Sequence, residues 1–195
     1  MSTRGLSGFR SSEIDKLQYV NYDTYPTGLG LELLSQLRAV EDWKSVQGHI
    51  DDLVPVPDEH LSGWRLRKIR QQVKPFHDAN AGVGQMRESY DLFRPLQHRL
   101  DPYLDGSLQS MHTYNEFILD SIWCRWGYIA NLDSMKMEVW KGSQHEPDPN
   151  NRYGSERLGR HPVYPCKQVK SWDLNALPSD EVFLSCLRRY DIFGD

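Results

Sequence analysis

Residues 122–141 constrain the fold more than any other stretch of this chain. Segment 122–132 is apolar and aromatic, Asp133-Ser134 is turn chemistry, and 135–141 alternates apolar and polar side chains. Period-two alternation suits a pleated strand with one buried face, whereas a helix needs a period near 3.6. The pattern predicts an antiparallel hairpin with Ile122, Cys124, Trp126 and Tyr128 on one face. An isolated hairpin is marginal in water, so it requires further strands or covering helices.

A second hairpin is predicted over about residues 3–22. Residues 6–10 are apolar-rich, 11–13 can turn, and Leu17, Tyr19 and Tyr22 are strand-prone. Helical spacing then follows through Leu29, Leu33, Leu34, Leu37 and Val40, and again through Trp43, Val46, Ile50 and Leu53. Pro55 and Pro57 stop that run. Residues 58–73 form a basic helical stretch with Leu61, Trp64, Ile69 and Val73 facing a core. Residues 86–104 form a helix interrupted by Pro95 and Pro102, 142–162 is a long polar loop, 163–172 is a strand, and a last helix begins at Pro178. Hairpins at distant positions with helices between them predict an α+β fold. The expected sheet is mixed or antiparallel, built from two hairpins and covered by helices, in a single domain over 1–195.

The chain of 195 residues is long enough to bury a core without staples, and its aromatic content, with six Trp and ten Tyr, adds burial per residue. The formal net charge of −4 argues against a general nucleic-acid binder. Cys124, Cys166 and Cys186 are odd in number and far apart, which points to free thiols and a cytoplasmic location rather than a disulfide framework. No signal peptide and no apolar run of membrane-spanning length is visible, so no membrane partner is expected. The seven histidines form no i, i+3 or i, i+4 pair, so no metal site is read, and no cofactor motif is present.

The opening segment carries the most chemistry. Removal of Met1 would expose Ser2, and an N-terminal serine can attack a carbonyl with its own α-amine as base. The layout is Ser2, strand, turn, strand, then Asn21 and Asp23. It resembles the start of the N-terminal-nucleophile hydrolases: the proteasome type, the choloylglycine-hydrolase type and the class II amidotransferases. The resemblance covers about 28 residues. It implies an amide-bond hydrolase or acyl transferase acting on a small-molecule or peptide substrate, with Ser2 as nucleophile and Asp23 and Asn21 as orienting groups. Arg4 or Arg10 would hold a substrate carboxylate or orient the amine, Tyr25 would border the cleft, and the backbone N–H groups near Gly28 and Gly30 would hold an anion. Ser2 departs from the Cys of the choloylglycine type, and that family's Arg-Asn-x-Asp signature survives only as Asn21-Tyr22-Asp23. The segments Ser2-Thr3-Arg4-Gly5-Leu6 with Gly8-Phe9-Arg10, Asp23 and Tyr25-Pro26 with Gly28-Leu29-Gly30, and 120–128 are also similar to uncharacterised microbial and phage proteins. That likeness implies a shared fold only.

Other readings of these residues stay open. Residues 23–30 also suit a plain strand-to-helix turn. Cys124 between Trp123 and Trp126 suits packing, a nucleophilic role needing a base and a depressed pKa. The basic stretch at 64–70 suits either phosphates with a base stacked on Trp64 or a solvated helix face. The alternative function class is a non-enzymatic binding protein that recognises an anionic ligand or a protein partner.

Overall fold

The computed structural model describes residues 3–157 and 163–190. Its fold is α+β, with a five-stranded mixed sheet and a small parallel pair. Strands β1 (Gly5–Ser11) and β2 (Ile14–Val20) form the first hairpin, and β5 (Trp126–Asn131) and β6 (Lys136–Lys141) form the second. Both are antiparallel. β1 and β5 join them by parallel pairing, with Gly5 opposite Trp126 and Arg10 opposite Asn131. β7 (Lys167–Asp173) adds to β6, giving the order β2-β1-β5-β6-β7.

The first hairpin turns tightly because Ser12 and Glu13 both adopt left-handed backbone, at φ 52° and 62°. Two successive positive φ values match the right-handed twist of the flanking strands. Because β1 and β5 run parallel, both hairpin turns lie at one end of the sheet. The starts of β1 and β5 lie together at the other end.

The helices are α1 (Leu31–Arg38), α2 (Trp43–Asp52), α3 (Gly63–Val73), α4 (Ser89–Phe93), α5 (Asp101–Leu104) and α6 (Asp180–Leu187). They cover one sheet face, where Phe9, Val20, Trp126, Tyr128, Met137 and Val139 pack against Leu33, Leu37, Ile50, Leu92 and Phe183. The other face buries Leu6, Leu17, Ile129 and Trp140 against Phe117, Ile118 and Cys166. Alternation along each strand divides its residues between these two cores.

Several expectations are corrected. Residues 122–125 form a turn ahead of β5, so Ile122 is only half-buried and Cys124 packs in the core opposite to Trp126 and Tyr128. Residues 54–56 do more than end a helix. They form β3 (Val54–Val56), which pairs in parallel with β4 (Ser110–His112), a pairing between segments too distant for any local signal to show. The inward stripe of α3 is Leu66, Ile69 and Val73. Trp64, about 200° around the helix from Leu66, is 69% exposed instead of facing the core.

Candidate functional site

The structure brings residues 21–25 beside the start of β1. Thr24 binds the Thr3 carbonyl twice, donating its N–H at 3.4 Å and its hydroxyl at 3.2 Å. Its own carbonyl accepts the Tyr128 hydroxyl at 3.0 Å, which ties the segment to the centre of the sheet. On the other side, the Arg125 N–H donates to the Arg4 carbonyl at 2.9 Å. The start of β1 is therefore an interior strand end, flanked by β2 and β5. Gly5 is required here, because a Cβ would lie 2.1 Å from the Trp126 carbonyl oxygen.

The side chains around this end are chemically mixed. The exposed Arg4 guanidinium stacks over Trp123 at 5.3 Å, and Trp123 is 54% exposed. Tyr19 donates to Asn21 Oδ1 at 3.2 Å and packs edge-on against Phe117. Burial pushes the Tyr19 phenol up, and the nearby Arg4 charge partly offsets this. The Asn21 N–H is held by the buried Gln97 side chain at 3.1 Å. Asp23 is exposed with φ 51°, and its carboxylate lies against Gly28, where a Cβ would be 2.5 Å away. Among the described residues that carboxylate forms no ion pair or hydrogen bond.

Other expected site residues fall elsewhere. Arg10 sits at the opposite end of β1, about 20 Å along the strand from Arg4. There it pairs with Asp15 at 3.2 Å and with Asp133 at 3.8 Å, so it has no place beside Arg4. The N–H groups of Gly28 and Gly30 both donate to the Tyr25 carbonyl, and that of Leu29 donates to the Asp23 carbonyl. These three donors are engaged within the wide turn Pro26–Gly30 that leads into α1, and none points outward for an anion. Ser2 lies outside the described residues.

Cys124 is fully buried, and burial together with the neighbouring Cys166 raises its thiol well above the ordinary range. A thiol so placed is a packing group and a poor nucleophile. Cys124, Cys166 and Cys186 are all free thiols. Sequence reasoning missed Trp123 and Tyr19 as neighbours of Arg4. Their convergence depends on the β1–β5 pairing and on the turn at 122–125, neither of which leaves a local pattern.

Among the described residues, no group of three or more His, Cys, Asp or Glu side chains is placed to hold a metal ion, and no helix is long and apolar enough to cross a membrane. No family model, curated protein or solved structure matches the chain.

Proposed function

We propose that the chain is an amide-bond hydrolase or acyl transferase whose nucleophile is Ser2, exposed by removal of Met1. The observation that carries this reading is the double hydrogen bond from Thr24 to the Thr3 carbonyl. It holds the segment bearing Asn21 and Asp23 beside the residue that directly follows the nucleophile, at an interior strand end. Support also comes from the side chains around it. Arg4 is exposed and cationic, as a group holding a substrate carboxylate must be, and the exposed Trp123 offers an apolar face to a substrate side chain.

In the reaction, Ser2 Oγ bonds to the substrate carbonyl carbon while the α-amine takes the hydroxyl proton. The amine then delivers that proton to the leaving nitrogen as the amide C–N bond breaks. Water, or an acceptor amine in a transferase, releases the acyl group from Ser2 by the same steps in reverse. The Asp23 carboxylate stabilises the transiently protonated amine.

A β-lactone probe tests the reading without knowledge of the substrate. Ser2 opening the lactone ring leaves a stable ester, read as a mass increase on the N-terminal peptide. The adduct is expected in the native chain and absent in Ser2→Ala and in a chain carrying one extra uncleaved residue before Ser2. Retention of Met1 in the purified protein, or no adduct at Ser2, overturns the proposal.

A further inference from the structure

Helix α3 presents a face that the proposed chemistry does not use. Trp64, Arg67, Lys68 and Gln71 recur at helical spacing along it, Lys74 follows at its C-terminal cap, and all five are exposed. Arg65 is paired with Glu59 at 2.5 Å, and Glu88 is taken up by His60 at 2.6 Å. Among the described residues, Arg67, Lys68 and Lys74 have no ion pair. Three unneutralised cations on one face of a chain whose net charge is −4 amount to a local field opposite in sign to the whole.

The indole decides which polyanion this face fits. An acidic peptide would satisfy the three cations and leave 69% of Trp64 in water. A duplex keeps its bases stacked inside and offers the indole nothing flat to meet. A single strand supplies both phosphates and an unstacked base. From residue 64 to residue 74 the helix runs about 15 Å, the footprint of a few nucleotides. Beyond its last turn lies a cavity of about 490 Å³, lined by Gln71, Lys74, His77, Asp78, Gly82 and Gly84. It is large enough to receive a further base.

We propose that the exposed face of α3 and this adjoining cavity bind single-stranded nucleic acid, with a base stacked on Trp64 and phosphates along Arg67, Lys68 and Lys74. The inference does not depend on the Ser2 reading. Fluorescence anisotropy with labelled oligothymidylate and oligouridylate at low salt tests it. Trp64→Ala should weaken binding about tenfold, Trp64→Phe should recover most of that loss, and each of Arg67→Gln and Lys68→Gln should lower the salt-dependence slope by about one. These positions are exposed, so circular dichroism should show every variant folded. No binding at low salt, binding unchanged by Trp64→Ala, or equal affinity for duplex DNA or for phosphatidylserine vesicles overturns the proposal.

Discussion

Asp133, in the turn of the second hairpin, accepts the backbone N–H of Ser12, in the turn of the first, at 2.7 Å. Its other carboxylate oxygen accepts the Glu13 N–H at 2.9 Å. One side chain thus ties together two turns 120 residues apart in sequence. It acts at the end of the sheet opposite Thr3 and Thr24, so the parallel β1–β5 joint is secured at both ends.

Asp133→Ala should remove both bonds and leave two turn N–H groups to water. The side chain is 32% exposed, so the loss should be modest, about 1–2 kcal/mol. At this chain length that is a fall in Tm of roughly 2–8 °C. Asp133→Asn keeps one acceptor and should recover part of it. Differential scanning calorimetry of both variants checks the order.

Gly5→Ala should cost more than its single methyl suggests. The new Cβ would lie 2.1 Å from the Trp126 carbonyl oxygen, so β1 and β5 must separate at their first paired residues. The expected loss is about 1–3 kcal/mol. Gly48→Ala is the contrast. It sits inside α2 with no atom near the added methyl, and should stabilise by about 0.5–1 kcal/mol. Urea denaturation curves should show shifts of opposite sign.

Arg152 grips Glu138 with two parallel hydrogen bonds, at 2.8 and 2.7 Å, and its guanidinium lies over Trp140. Glu138 is 4% exposed and also accepts from Asn131 and from the Trp140 indole. Arg152→Ala should therefore destabilise by about 3 kcal/mol, the two remaining donors sparing it the larger losses seen when a buried charge is left wholly unpaired. Arg152→Lys should not restore the loss, because an ammonium cannot reproduce the planar fork. Equilibrium unfolding of the two variants at neutral pH decides.

His112 is buried between Phe93 and Tyr90, with Asp58 3.7 Å from Nε2. Burial lowers its pKa, and Asp58 opposes this only in part. A histidine harder to protonate when folded contributes stability that is fully present above its unfolded pKa of about 6.5. That contribution is lost as pH falls through the lower folded value, because the unfolded chain takes up its proton first. His112→Gln should flatten the decline in stability between about pH 7 and pH 5. Thermal unfolding across that range reads the difference, and an unchanged slope would show that other groups set it.

The sequence alone determined the local elements. The alternation at 136–141, the turn residues at 11–13 and 133–134, and the leucine spacing of α1 each write their structure into a few neighbouring residues. The α+β class followed from their order. Only the tertiary structure decided that the two hairpins join by parallel pairing of β1 with β5, which fixes the end of the sheet where Thr3, Arg4 and Thr24 meet. It also sent Arg10 to the opposite end and drew Trp123 over Arg4. The exposure of Trp64 was, by contrast, open to a local reading, because Leu66, Ile69 and Val73 share one helical stripe and Trp64 lies about 200° around the helix from Leu66. Periodicity is a relation between near neighbours, imposed by backbone geometry. The meeting of residues more than a hundred positions apart is settled by which faces bury the most apolar surface together, a property of the whole chain.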